Sequence, residues 1–138
     1  MKKLYSTAVT ATGGRNGHVK SADGVLDVDV RMPKQLGGSD GAHLNPETFF
    51  AAGYAACFDN ALMHIMRIEK VQGGTTTVTA EVDLIQLDNG GFGLAVQLLV
   101  DVPGVERAKA EELVNKAHAV CPYSNATRNN IEVKLQIK

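Results

Sequence analysis

The order of predicted elements indicates an α+β fold built from antiparallel sheets. Strand and hairpin signals come first, a long helix follows, and a second hairpin, a second helix and a final strand complete the 138 residues. No segment shows the strand–helix–strand alternation that predicts a doubly wound parallel sheet. The chain has the length of one domain, and no linker, repeat or low-complexity stretch divides it. We therefore predict a single domain over residues 1–138.

The N-terminal part is predicted to form short strands joined by glycine turns. Its elements in order are a strand over 3–11, a turn at Gly13-Gly14 and Gly17, a strand near His18–Lys20, a hairpin turn at Asp23-Gly24, an alternating strand over 25–30, and a loop over 34–44. The C-terminal part continues the pattern. Its elements are strands over 76–87 and 92–102 around a turn at 88–91, a helix over 105–119, a turn at Cys121-Pro122, and a strand over 131–137.

The clearest helix start is Asn45-Pro46-Glu47, which supplies an N-cap, a proline at the first helical position and a carboxylate in the first turn. The helix is predicted to run to about Lys70 and to stop at Gly73-Gly74. Residues 49–58 are apolar on every side, which is typical of a buried helix. Because a chain of this size has few elements to surround such a helix, we predict that a second subunit covers part of it, in an obligate homodimer.

Composition excludes several classes of function. The net charge is −1, there is no Lys/Arg block and no Trp, so a nucleic-acid surface is not expected. Asp59 and His64 interrupt the best apolar run, so no membrane span is expected. The N-terminus lacks the apolar region of a signal peptide, and we predict a cytoplasmic location.

The chain has two cysteines, Cys57 and Cys121. In a reducing compartment such a pair is more often free, metal-bound or catalytic than a permanent cross-link, and a buried apolar role is the ordinary alternative. Cys57 lies about 16 Å along its helix, too far from the N-terminus for the helix dipole to activate it. Since apolar neighbours raise the pKa of a thiol, a nucleophilic Cys57 needs a cation from elsewhere in the chain.

Arg15, in a glycine-rich turn, is the favoured cation, and Glu47 at the start of the same helix as Cys57 is its expected anchor. The alternatives are a solvated turn residue for Arg15 and a partner of the helix dipole for Glu47. Cys121 follows a helix end, which suits a thiol that attacks a sulfenic acid on Cys57. Its flanks predict a constrained turn, where a buried structural cysteine is less expected.

A zinc site built from two cysteines and two histidines is the competing interpretation. Cys57 and His64 are seven positions apart, and His118 and Cys121 are three apart. Residues seven apart on a helix are separated by about 10 Å, too far to share one ion. We therefore predict no metal.

Three segments are similar to the organic hydroperoxide resistance (Ohr) proteins. They are Asn45-Pro46-Glu47 leading into Ala-Ala-Gly-Tyr-Ala-Ala-Cys-Phe (51–58), Val-Cys-Pro-Tyr-Ser-Asn-Ala-Thr-Arg (120–128), and Thr-Gly-Gly-Arg (12–15) with the Asp23-Gly24 hairpin. The second resembles the Ohr branch of the OsmC/Ohr superfamily more than the OsmC branch. The chain departs from the family pattern at Asp59-Asn60 and Asn129-Asn130, where no catalytic group is lost.

The resemblance implies the roles of the site residues. Cys57 is the expected peroxidatic cysteine and Cys121 the resolving one, with Arg15 and Glu47 as the polar network that activates Cys57 and orients the peroxide. It also implies an intertwined homodimer around the long central helices, and a peroxidase for organic hydroperoxides that binds no cofactor. The expected reductant is an external lipoyl-type dithiol, either dihydrolipoamide or a lipoylated protein.

We predict that the Cys57 thiolate attacks the peroxide and that the resulting sulfenic acid condenses with Cys121 to a disulfide. Phe50, Tyr54 and Phe58 are expected to line the site, although aromatic residues on a helix are more often core. The alternatives are a thiol redox sensor or a ligand-binding module without efficient turnover, and a zinc protein.

Overall fold

The computed structural model describes the whole chain, Met1–Lys138, and confirms the α+β class. Its six strands and three α-helices are, in order, β1 Val9–Thr12, β2 His18–Ser21, β3 Asp27–Asp29, α1 Pro46–Ile68, β4 Thr77–Gln86, β5 Phe92–Asp101, α2 Arg107–Val120, α3 Pro122–Thr127 and β6 Val133–Ile137. Short 3-10 turns span Gly14–Asn16 and Lys34–Leu36. The chain divides into two compact units, Met1–Phe49 and Phe50–Lys138. A single domain over 1–138 stays a prediction.

The first unit contains an antiparallel sheet in the order β1-β2-β3. The strand predicted over 3–11 begins only at Val9, because β2 has four residues and pairs with β1 from Val9 opposite Ser21 to Thr12 opposite His18. Residues before Val9 therefore have no facing strand in this sheet. Val30 is the one buried apolar residue of the unit.

Helix α1 begins as predicted and ends two residues before the predicted Lys70, at a different stop signal. The Asn45 side chain accepts a hydrogen bond from the backbone N–H of Thr48 at 3.0 Å, which is the expected N-cap. At the other end, Lys70 has a φ of 55°, and the Val71 N–H donates to the Met66 carbonyl at 2.9 Å. This is the left-handed ending that glycine usually makes. The helix therefore stops at Ile68, before Gly73-Gly74 is reached.

One face of α1 is buried within the chain and another is not. The buried residues are Tyr54, Phe58, Ala61, Leu62, Ile65 and Met66. Ala52, Ala56 and Met63 are exposed, although all three are apolar. The chain by itself thus covers the helix on one side only.

The second unit contains a three-stranded sheet in the order β4-β5-β6. β4 and β5 form the predicted hairpin, from Thr77 opposite Asp101 to Gln86 opposite Phe92. The expectation of purely antiparallel sheets is wrong for the last pair, because β6 runs parallel to β5. The connection between them contains α2 and α3, and a helical crossover of this kind returns the chain to the end where β5 began.

Helix α2 follows the predicted pattern, and α3 was not predicted. Ala110, Leu113, Val114 and Ala117 are the buried face of α2. Its first residue is Arg107, two residues beyond the predicted start, and its N-cap is Glu106. Pro122 occupies the first turn of α3, where a proline is tolerated because its missing N–H has no helical acceptor. The segment after Cys121 is therefore a short helix.

No helix in the protein combines the length and the apolar character that crossing a bilayer requires.

Candidate active site

Arg15 and Glu47 form a two-point ion pair in the first unit. The Arg15 guanidinium donates from Nη1 to Glu47 Oε2 at 2.8 Å and from Nη2 to Oε1 at 2.7 Å. The turn that presents Arg15 requires glycine at Gly17, where a Cβ would lie 1.8 Å from the Thr12 carbonyl oxygen. Gly13, with a φ of 79°, adopts the left-handed conformation that favours glycine. The predicted contact between Arg15 and Glu47 is thus present.

The ion pair changes the ionisation of both groups. The hydrogen bonds from Arg15 lower the pKa of Glu47, against the opposing effect of burial. The same contact raises the pKa of Arg15. The exposed fractions of the two side chains are 32% and 16%, so the guanidinium still reaches solvent while its anchor is mostly covered. Two parallel hydrogen bonds also fix the plane of the guanidinium.

An apolar cavity of about 520 Å³ lies beside Arg15 in the same unit. It is lined by Val9, Ala11, Gly14, Arg15, Val19, Leu26, Val30, Pro46 and Phe49. The guanidinium is the only charged group among these residues. The arrangement places one fixed cation at the edge of an apolar space.

Cys57 and Cys121 are in contact in the second unit. Their Sγ atoms are 3.7 Å apart, and both cysteines are free thiols. Cys121 is fully buried, whereas Cys57 is partly exposed. The expectation that Cys121 would lie outside the core is therefore wrong. The reason is α3, which packs the segment after Cys121 into the protein.

Burial is the largest influence on the Cys57 thiol and raises its pKa. The backbone N–H of Tyr123 lowers the pKa, and the neighbouring Cys121 raises it again. The net direction is upward, as the apolar helix predicted. A thiolate at neutral pH therefore needs a further positive charge.

A buried polar cluster lies next to the cysteines and was not predicted. The hydroxyl of Tyr54 lies 2.9 Å from Ser124 Oγ and 3.1 Å from Thr127 Oγ1. His118 Nδ1 lies 2.8 Å from the same Ser124 oxygen. The spacing of Ser124 and Thr127, three apart as on one helical face, was the available signal, but it is visible only once α3 is known.

Two of the three aromatic residues expected to line the site lie in the core instead. Tyr54 and Phe58 are fully buried core residues, so neither lines an open site. Phe50 does line a cavity of about 600 Å³ in the second unit, together with Tyr123, Ile85, Leu87 and Phe92. The helical position of Tyr54 and Phe58 explains the error, because both lie on the face of α1 that packs into the core.

The residues considered for zinc do not form a metal site. No group of three or more His, Cys, Asp or Glu side chains is placed to hold an ion. His118 is hydrogen-bonded to Ser124, and His64 is exposed.

The structure therefore brings the predicted site residues together as two pairs. Cys57 and Cys121 are in contact in the unit Phe50–Lys138, and Arg15 and Glu47 are in contact in the unit Met1–Phe49. One pair supplies two thiols and the other supplies a fixed cation.

Comparisons with known proteins identify the family. The family of OsmC-like proteins matches residues 38–136. The chain is 47% identical to the organic hydroperoxide resistance protein of Xanthomonas axonopodis pv. citri, over 99% of this chain and 96% of the relative. It is also 47% identical to the organic hydroperoxide resistance protein OhrB of Bacillus subtilis, over 98% of each. The chain belongs to the OsmC/Ohr family, as the sequence motifs predicted.

Solved structures agree with this assignment. An organic hydroperoxide resistance protein from Elizabethkingia anophelis superposes with a TM-score of 0.96 at 58% identity, over 100% of this chain and 99% of that one. OhrB of Bacillus subtilis superposes with a TM-score of 0.90 at 45% identity, over 99% of this chain and 100% of that one. The α+β fold of this chain is therefore the fold of the Ohr proteins.

Proposed function

We propose that this protein is a cysteine-based thiol peroxidase that reduces organic hydroperoxides to alcohols. The observation that carries the proposal is the 3.7 Å contact between Cys57 and Cys121, one partly exposed and the other buried. Relatives named for organic hydroperoxide resistance, at 47% identity over nearly the full chain, support the substrate class. The apolar spaces beside Arg15 and Phe50 suit an organic substituent.

In the first step, the Cys57 thiolate attacks the distal oxygen of the hydroperoxide. A sulfur–oxygen bond forms as the oxygen–oxygen bond breaks, and the alkoxide takes up a proton and leaves as the alcohol. Cys57 is left as a sulfenic acid. The partial exposure of Cys57 suits this role, because the peroxide has to reach the sulfur.

Arg15 is proposed to activate Cys57 and to orient the peroxide. A cation about 4 Å from a thiolate in a partly buried site stabilises it by roughly 4 kcal/mol, which exceeds an upward pKa shift of one or two units. Glu47 holds the guanidinium by two hydrogen bonds. The arginine thereby keeps a fixed direction without a large loss of conformational freedom at each turnover.

In the second step, Cys121 attacks the sulfenic acid and a disulfide forms. We propose that an external dithiol of the lipoyl type, dihydrolipoamide or a lipoylated protein, then reduces this disulfide by thiol–disulfide exchange. The reaction needs no resident cofactor. A free dithiol pair of this kind persists in the reducing cytoplasm, which is the location we propose.

The working unit is proposed to be an intertwined homodimer. Ala52, Ala56 and Met63 form an exposed apolar face on α1, and the unit Met1–Phe49 buries a single apolar residue, Val30. A second copy that covers these surfaces would remove them from water. Sedimentation should give the dimer mass for the wild type at micromolar concentration. Ala56→Glu should shift the protein toward monomer, and a wild type that sediments as a monomer would exclude the dimer.

Steady-state turnover tests the proposed function. Cumene hydroperoxide and tert-butyl hydroperoxide should be consumed with dihydrolipoamide as reductant, and more slowly with thioredoxin or glutathione. Cys57→Ser should abolish turnover. A redox sensor would instead be oxidised once without continued consumption of peroxide, and full activity in Cys57→Ser would refute the peroxidase assignment.

A further inference from the structure

Tyr54, Ser124, Thr127 and His118 form a buried polar cluster, termed here the hydroxyl clamp. Tyr54 and Ser124 are completely buried, and Thr127 is 5% exposed. Ser124 contacts both Tyr54 and His118, and Thr127 donates to the Ser124 carbonyl at 3.2 Å as well as contacting Tyr54. Because every hydroxyl has a partner, the cluster fixes α1, α2 and α3 against one another.

Each cysteine lies three positions from a clamp residue. Tyr54 precedes Cys57 on α1, and residues three apart share a face of a helix. Ser124 follows Cys121 at the start of α3, where the Cys121 carbonyl accepts from the Asn125 N–H at 2.9 Å. With only six residues, α3 is too short to be stable alone, so tertiary contacts set its position. The clamp therefore joins the segment that carries one thiol to the segment that carries the other.

The helices approach closely at the same place. A Cβ on Gly53 would lie 2.9 Å from the Tyr123 hydroxyl and 3.0 Å from its ring, so the absence of a side chain at Gly53 makes room for Tyr123. The Tyr123 N–H also acts on the Cys57 sulfur. These contacts hold the first turn of α3 against the part of α1 that carries Cys57.

Building on the proposed function, we propose that the hydroxyl clamp positions Cys121 for the resolving step. In that step a bond forms between the two sulfurs while the sulfur–oxygen bond of the Cys57 sulfenic acid breaks. The departing hydroxide takes the proton of the Cys121 thiol and leaves as water. From the 3.7 Å separation, the sulfurs must approach by only about 1.6 Å to reach bonding distance. The clamp keeps this distance short, so that Cys121 reacts before a second peroxide does.

The test is the competition between the disulfide and over-oxidation of Cys57 to sulfinic acid. Intact mass spectrometry after peroxide pulses of increasing concentration measures the two products. Tyr54→Phe and Thr127→Val each remove one clamp hydroxyl with little change in volume. The resolving rate should fall about fivefold to tenfold in both, as loss of one buried hydrogen bond allows. Sulfinic acid should then accumulate at correspondingly lower peroxide concentrations.

Two matched controls separate positioning from general stability. Thr127→Ser keeps the hydroxyl and should resolve at the wild-type rate. Tyr5→Phe makes the same chemical change as Tyr54→Phe at a side chain that is 79% exposed, and should also match the wild type. The rate of peroxide consumption in the first step should be unchanged in all four variants.

An unchanged product ratio in Tyr54→Phe and Thr127→Val would overturn the inference. Equal slowing of both steps together with a lower unfolding temperature would also overturn it, because it would show a purely structural role. Failure of the wild type to form any sulfenic acid would refute the proposed function itself, and is visible in the same experiment as an unmodified mass.

Discussion

The two units of the chain differ in how they hold their functional groups. The unit Met1–Phe49 holds Arg15 and Glu47 by charge and hydrogen bonds and buries one apolar residue. The unit Phe50–Lys138 contains the other fifteen buried apolar residues, and Cys121 is one of them. A charged group loses hydration when it is buried, whereas a neutral thiol such as Cys121 packs in the core like a small apolar side chain. The ion pair and the buried thiol therefore lie in different units because they differ in their need for solvation.

Removal of the Arg15 cation should have the largest effect on the rate of peroxide reduction. With Arg15→Gln, the proposed cation no longer opposes the burial that raises the pKa of Cys57. Because an adjacent opposite charge commonly lowers a pKa by one to three units, the rate of peroxide reduction at pH 7 should fall about 100-fold. The loss should become smaller as the pH rises, since the thiolate then forms without help. Pre-steady-state peroxide consumption across a pH series measures this.

Lys20→Gln is the matched control for that variant. Lys20 is an exposed cation of the same unit that contacts Asp27 at 3.6 Å. Its removal should leave the pH profile of Cys57 unchanged. Equal effects of Arg15→Gln and Lys20→Gln would show that net charge matters and that the position of Arg15 does not.

Weakening the anchor of Arg15 should slow peroxide reduction less than removing Arg15 does. Glu47→Gln keeps the charge of Arg15 but replaces the two-point anchor, and we expect a loss of about tenfold. The double variant should be no less active than is predicted for Arg15→Gln alone, because both changes act through one guanidinium.

The pKa of Glu47 also predicts a lower pH limit for its ion pair with Arg15. Its pKa is lowered by Arg15, so the ion pair is complete above the ordinary carboxyl pKa and is lost as the pH falls through the lowered value.

Substitution of an apolar residue should lower the free energy of unfolding more in the second unit than in the first. Leu113 is fully buried in the second unit, and Leu113→Ala should lower the free energy of unfolding by about 2–5 kcal/mol. Leu26 in the first unit is only partly buried, so Leu26→Ala should cost less than about 1.5 kcal/mol. Denaturant titrations at one fixed protein concentration compare the two. Equal costs would mean that the apolar residues of the first unit are as well covered as the core.

The smallest expected effect concerns His18. Its two ring nitrogens contact Asp27 at 2.5 Å and Asp29 at 2.7 Å, and these contacts raise its pKa. Stability from the protonated ring is present below the ordinary histidine pKa and is lost as the pH rises through the raised value. An NMR titration should show the raised pKa, and Asp29→Asn should bring it down. A His18 that titrates at its ordinary value would contradict the geometry.

Local signals in the sequence predicted most of the elements but not their pairing. The N-cap at Asn45 and the β4–β5 hairpin are set by adjacent residues, and both were predicted closely. The parallel pairing of β6 depends on a long crossover, which leaves no local signature. The end of α1 is predicted to within two residues, but the stop is wrongly assigned to Gly73-Gly74, since a lysine in the left-handed conformation, as at Lys70, is unusual.

The structure shows two contacts among the predicted site residues, whose roles stay predictions, and surroundings that the sequence does not predict. Residue types suggest Glu47 as an anchor for Arg15, the family resemblance implies the same pair, and the structure shows the contact. The burial of Cys121 is not predicted, because α3 packs through hydrogen bonds between Tyr54 and both Ser124 and Thr127, which are 70 and 73 residues away from it in the chain. Hydrogen bonds between residues far apart in the chain cannot be predicted from the hydrophobic periodicity of the sequence. Local patterns thus suggest which residues act, while tertiary contacts determine how they are held.

The most direct test of the account is the mass of the protein after one equivalent of cumene hydroperoxide. The wild type should lose two hydrogens as Cys57 and Cys121 form a disulfide, Cys121→Ser should gain one oxygen, and Cys57→Ser should be unchanged. An oxygen gained by Cys57→Ser, or a wild type without a disulfide between Cys57 and Cys121, would contradict the assignment of Cys57 as the peroxidatic thiol and Cys121 as its resolving partner.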